Sequence, residues 1–179
     1  QCPLIVLHPG GRAGHTLSHA RRLIRLAIEE LAPIAESAGV VLAIKPAKDE
    51  ASFLTTLEEG VDLVAASGFT NVGIAIDLWT FSEELLSLEN RRSVIEQAKV
   101  VSVADRVSNI SHGHERLPPG AGELPLLGLL HLLVESGYRG DIEFDPIGDT
   151  VAAMGYEQLL ASVRLYVDQL QIDMSLAET

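Results

Sequence analysis

The chain has 179 residues, 47% of them hydrophobic, a length and apolar content that suit one globular domain. Its formal charge of −12 argues against nucleic acid and anionic membrane as partners, because both are bound by clustered Lys and Arg. No apolar run reaches the ~18 residues of a membrane span, the opening QCPLIVLHPG carries no basic leader, and the single Cys2 excludes an internal disulfide, so a cytoplasmic protein is expected.

In chain order, residues 3–8 (PLIVLH) form a short apolar run that predicts a strand. Residues 16–39 follow with Leu23, Leu26, Ala27, Leu31 and Ile34 at helical spacing; Thr16 or Ser18 can cap this helix, Gly39 ends it, and Pro33 should kink or divide it. Arg21, Arg22 and Arg25 have helical spacing and read as a solvated face. Residues 40–45 predict a second strand, and residues 53–68 a second helix with Gly60 as a weak point. A third strand is expected over 71–77, then a helix over 82–98 with a break near Asn90. A fourth strand covers 100–105, followed by a Gly/Pro-rich loop over 106–123. A leucine-rich helix (124–137), a fifth strand (141–146) and a last helix (156–171) complete the pattern. Strands that alternate with helices run parallel, because each crossover returns the chain to the same end. No linker divides the units, so 1–179 reads as a single α/β domain of five parallel βα units.

Alternate residues of a strand share a face. One set is bulky and apolar: Leu42, Ile44, Ile74, Ile76, Val101 and Val103, with Ile5, Leu7, Ile142 and Phe144 on the outer strands. The other set is small or polar and ends in His8, Lys45, Asp77, Ala104 and Asp145, with Ser102 and Glu143 one step earlier. A face with that many polar groups is costly to bury under helices. It suits the interior of a barrel, where ligands sit at the C-terminal strand ends. Five units do not close an eight-stranded barrel. The expectation is therefore a partial TIM barrel, incomplete in one chain and either completed by self-association or rearranged into an open α/β sheet.

Six stretches carry a family signal: VLHPGG, LAIKP, NVGIAIDLWTF, VVSVADR, RLPPGAGE and GYRGDIEFD. In order and spacing they resemble the last five units, 4 to 8, of the sugar phosphate isomerase/epimerase family with the xylose-isomerase-like TIM barrel. That resemblance implies one divalent metal with four ligand positions, which here read Lys45, Asp77, Ser102 and Asp145; a second family histidine reads Thr80. Asp77 and Asp145 are thus the remaining metal-ligand candidates, expected to hold Mg²⁺ or Mn²⁺ only weakly. If the parental geometry survives, Lys45 points at both acids and takes roughly the volume of the metal, with Glu143 as a spare acid or a partner for the lysine.

The resemblance also implies that Arg116 contacts substrate, a small polyhydroxylated, sugar-like molecule. His8 at the end of the first strand and Trp79 after the third are further substrate-binding candidates; for each, hydrogen bonding to the loop or plain packing is the alternative. The glycines of PGGRAGHT (9–16) offer a weak phosphate cradle. His112, His114 and Glu115 offer an adventitious metal site, and His131 reads as a packed helix residue. Asp77, Asp145, Lys45 and Glu143 are the catalytic candidates, in a reaction where acids shuttle a proton between carbons. Two functions follow: an isomerase/epimerase-like domain with a degraded metal site and weak or lost activity, or a non-catalytic, truncated or engineered barrel fragment that folds by self-association, as a homodimer.

Overall fold

The computed structural model describes residues 2–89, 91–107 and 115–177, with side chains described up to residue 171. His112 and His114 lie outside the described residues.

Five strands form one parallel sheet in the order of the sequence: β1 (Leu4–Leu7), β2 (Val41–Ile44), β3 (Val72–Asp77), β4 (Ala98–Val103) and β5 (Asp141–Phe144). Each crossover carries a helix: α1 (Leu17–Ser37), α2 (Leu57–Ser67), α3 (Leu78–Ser87) with α4 (Arg91–Gln97), and α5 (Leu126–Glu135); α6 (Asp149–Met154) and α7 (Tyr156–Ala177) follow the last strand. The result is an open half-barrel, with β1 and β5 at its edges.

The main core joins Leu42, Ile44, Ile74, Ile76, Val101 and Val103 to the inward sides of the helices, including Ile28, Leu57, Leu85 and Leu129. Each such side chain contributes about 1.5–3 kcal/mol of burial. This is the apolar strand face that the alternation predicts. The opposite face carries a small second cluster, Ala43, Ala75 and Val100 with Leu4 and Val6 against it. Small residues low on this face leave room above them for the longer polar side chains at the strand ends. Ile5 departs from the expected pattern: it is 44% exposed, because β1 is an edge strand with little helix over it.

Several boundaries differ from the sequence reading. Thr16 caps α1 as expected, accepting from the His19 amide at 3.3 Å. Pro33 does not divide α1, which runs unbroken for 21 residues. The proline sits on the exposed side, where water can serve the carbonyl that lost its donor. α2 begins at Leu57 rather than residue 53, because Thr56 caps it through the Glu59 amide at 3.1 Å. Phe53 and Leu54, ahead of the cap, are buried in the core. Gly60 is a packing contact rather than a weak point: a Cβ there would lie 3.0 Å from Pro46 Cγ and 3.2 Å from Ile74 Cγ2. α3 starts at Leu78, four residues early, because Asp77 caps it through the Trp79 amide. β4 begins at Ala98, two residues before the expected Val100, and its register against β3 shifts between the Ile74–Ala98 and Ala75–Val100 pairs.

Candidate functional site at the strand ends

The polar residues converge where the strands end. Asp77 and Ser102 are register partners across β3 and β4, and Ser102 and Glu143 across β4 and β5. Lys45 follows β2 and Asp145 follows β5. Lys45 Nζ lies 3.3 Å from Ser102 Oγ, 3.4 Å from Asp77 Oδ2 and 3.8 Å from Asp145 Oδ2. The Ser102 hydroxyl donates to Glu143 Oε2 at 3.2 Å. Glu143 is thus linked to Lys45 through a hydroxyl.

Arg116 enters from above. Its backbone forms a short antiparallel bridge with Ile147, and Leu117 forms another with Asp105. These bridges tie the Gly/Pro-rich loop to the segment after β5, through Ile147, and to the end of β4, through Asp105. Asp105 holds the loop further, accepting from the amides of Arg106, Gly120 and Leu124. The tethered guanidinium donates to Asp77 Oδ2 at 3.1 Å and Oδ1 at 2.7 Å, and to Asp145 Oδ1 at 3.0 Å. Trp79 supports it: its ring centroid lies 5.4 Å from the guanidinium carbon, and its Nε1 donates to the Glu115 carbonyl at 3.1 Å. Thr80 donates to Asp77 Oδ2 at 3.2 Å.

The two aspartates are pushed apart electrostatically. Burial works to raise both carboxyls. At Asp77 the hydrogen bonds and charge of Arg116, with the charge of Lys45, outweigh burial and hold the group below its ordinary value. At Asp145 the same cations offset burial only in part, Asp77 adds repulsion, and the carboxyl stays above its ordinary value.

Lys45, Asp77, Ser102, Arg116, Glu143 and Asp145 therefore form one connected cluster. Trp79 joins it through Arg116, so its ring is engaged by a guanidinium. His8 is exposed just beyond β1, and none of the cluster's hydrogen bonds or ion pairs involves it. Asp105 has no role in the sequence reading; an acid immediately before a Gly/Pro-rich loop is the signal that could have found it. The PGGRAGHT loop is tied down by Gly11 bridging Ser52 and by the Arg12 amide donating to Ala51. Arg21, expected to be solvated, pairs with Glu59 of α2. A groove of about 370 Å³ lies there, between α1 and α2, and holds none of the strand-end residues.

The donor set does not suit a divalent metal. Both aspartates are engaged by Arg116, and an ammonium stands between them. Among the described residues no group of three or more His, Cys, Asp or Glu is placed to hold an ion.

A parallel half-barrel with its charged cluster at the C-terminal strand ends defines the class, a partial TIM barrel. The chain matches the family described as xylose isomerase-like TIM barrel over residues 1–165, and it belongs to that family. Similar solved structures include the IolI protein with a bound zinc atom (18% identity, TM-score 0.74, covering 93% of this chain and 62% of that one). A xylose isomerase domain containing protein from Salmonella typhimurium has 16% identity and a TM-score of 0.77, covering 94% and 63%. D-psicose 3-epimerase with D-tagatose from Clostridium cellulolyticum has 19% identity and a TM-score of 0.69, covering 88% and 57%. The chain thus spans less than two thirds of the length of these structures. No curated protein matches the sequence. Among the described residues no helix is long and apolar enough to cross a membrane.

Proposed function

We propose that this chain is a sugar isomerase/epimerase-like domain that takes small polyhydroxylated substrates at the strand-end cluster, with a degraded metal site and weak or lost activity. The observation that carries the reading is the convergence of two carboxylates and two cations on the concave face of the half-barrel. Carboxylates there can move a proton between neighbouring carbons, the work proposed for Asp77, Asp145 and Glu143. Lys45 and Arg116 can meet negative charge that develops on a substrate oxygen. Arg116 holds the substrate, with Trp79 and His8 at its margins. The relatives that act on D-psicose or carry xylose isomerase in their names support a sugar-like ligand. Any Mg²⁺ or Mn²⁺ is expected to bind weakly at Asp77 and Asp145, because both are already paired.

The test is a panel of ketoses and aldoses screened by ligand-detected NMR, followed by incubation of each binder in D₂O. Binding that Arg116→Met abolishes supports the reading. Deuterium gained next to the carbonyl, and lost in Asp145→Asn, would make the domain an active enzyme. A panel without a single binder overturns it.

The open edges favour a second reading of the assembly. β1 and β5 both end the sheet, and Ile5 on β1 is exposed. Edge strands with free donors and acceptors invite pairing. The proposal is a homodimer in which the second copy covers these edges and the concave face, with or without catalysis.

A further inference from the structure

We propose that Lys45 is a built-in cation that closes the strand-end oxygen cage to divalent metal, and that the single substitution Lys45→Glu opens it. The inference rests on the cluster being the ligand site of the preceding section, and names the residue that decides which cation it holds.

The oxygens around Lys45 Nζ come from three strand ends: Ser102 Oγ at 3.3 Å, Asp77 Oδ2 at 3.4 Å and Asp145 Oδ2 at 3.8 Å. Glu143 lies one hydrogen bond further, behind Ser102. Two carboxylates and a hydroxyl face this point, with a third carboxylate behind the hydroxyl; these are hard oxygen donors, the type that Mg²⁺ and Mn²⁺ take, one direct carboxylate short of a three-acid site. The point is occupied by an ammonium on a side chain only 12% exposed, so it is held there by its surroundings. A divalent ion brought to the same oxygens would meet that charge at ion-pair distance, in a site where water screens little.

Arg116 does not fill the same role. It approaches the aspartates from the loop above with a fork of nitrogens and shares both Oδ2 atoms with Lys45, at 3.1 Å on Asp77 and 2.9 Å on Asp145. Each carboxylate has about four lone-pair sites, enough to serve both. Replacing Lys45 with Glu removes the repelling charge and adds a third direct carboxylate from β2. Lys45→Gln removes the charge and offers one amide oxygen, a weaker donor.

The experiment follows Mn²⁺ binding by EPR and thermal melting in Mn²⁺ or EDTA, for the wild type, Lys45→Glu and Lys45→Gln. Wild-type melts are expected to superimpose. Lys45→Glu is expected to melt lower in EDTA and to rise by roughly 5–10 °C when Mn²⁺ is about 100-fold above its Kd. Lys45→Gln is expected to bind Mn²⁺ more weakly than Lys45→Glu. Tight Mn²⁺ binding by the wild type, abolished by Asp77→Asn and raising its melting temperature over EDTA, overturns the proposal even if the glutamate variant does not fold. So do two folded variants that bind no Mn²⁺. Sugar binding by the wild type is read separately: its absence overturns the functional reading, and the Mn²⁺ series alone decides the cation.

Discussion

Arg116 grips Asp77 with both terminal nitrogens, Nη2 to Oδ1 at 2.7 Å and Nη1 to Oδ2 at 3.1 Å. Fork-on-fork pairing fixes orientation as well as charge, which lysine cannot do. Arg116→Ala leaves Asp77 buried with only part of its compensation, and is expected to cost about 3–5 kcal/mol in urea unfolding. Arg116→Lys should recover part of that loss. A lysine variant as stable as the wild type would show that charge alone matters.

The two aspartates should act oppositely on stability against pH. The Asp77 carboxyl is lower in the folded chain than in the unfolded one. Its contribution is present above the ordinary value of about 4 and is lost as pH falls through the folded value. Asp145 is raised, so the folded chain holds its proton more tightly. Its contribution is present below the ordinary value and is lost as pH rises through the folded one. Asp77→Asn should therefore lower stability at neutral pH and flatten the acid limb of a melting-temperature curve. Asp145→Asn removes the loss that comes with rising pH just above pH ~4, so the variant should lose stability more steeply than the wild type as pH falls towards that value. Three parallel curves would refute both assignments.

These pairings show how far the sequence could be read. Strand alternation placed Lys45, Asp77, Ser102, Glu143 and Asp145 on one face, since a period of two needs only the strands to be located. The apolar face was equally legible, from Leu42 and Ile44 to Val101 and Val103. The grip of Arg116 on both acids was not, because it depends on the Arg116–Ile147 and Leu117–Asp105 bridges between distant loops. Helix starts were missed where a side chain cap decided them, as with Thr56 and Asp77. Trp79 was placed after the third strand, but its contact with Arg116 needed the loop's path.

Trp79 holds Arg116 in place by ring contact and holds the adjacent backbone through Nε1 and the Glu115 carbonyl. Trp79→Phe keeps a ring and removes the donor. The loss should be about 1 kcal/mol, the usual worth of one such hydrogen bond. Trp79→Ala also removes the ring's attraction for the guanidinium, about 0.5–1 kcal/mol more, besides its burial. Chemical denaturation of the pair measures both steps; a phenylalanine variant as weak as the alanine one would place the effect in the donor.

Gly73 permits the close approach of β3 and β4. A Cβ there would meet the Gln97 carbonyl oxygen and Lys99 Cγ, each at 2.5 Å, and a backbone oxygen cannot step aside cheaply. Gly73→Ala should cost about 1–3 kcal/mol, as overpacking does. Gly128 is the contrasting case: it is exposed on α5 with nothing within 4 Å of a built Cβ. Gly128→Ala should stabilise by about 0.5–1 kcal/mol, through helix propensity and a less flexible unfolded chain. Equal responses at the two sites would contradict the packing.

The proposed assembly has its own measurement. Light scattering behind a sizing column, over a range of loading concentrations, reads the mass directly. A dimer has twice the chain mass of 19.2 kDa. Salt adds a second axis. The chain's net charge of −12 makes two copies repel, and salt screens that repulsion beyond about 10 Å at 0.1 M. The dimer fraction should therefore rise with both concentration and salt, and Ile5→Lys on the exposed β1 edge should lower it, because charged edge residues block strand addition. A mass that stays at one chain under all these conditions would mean that the concave face stands in solvent. The strand-end cluster would then be open to ligands without a second copy, and the dimer proposal would fall while the cation and sugar tests stand.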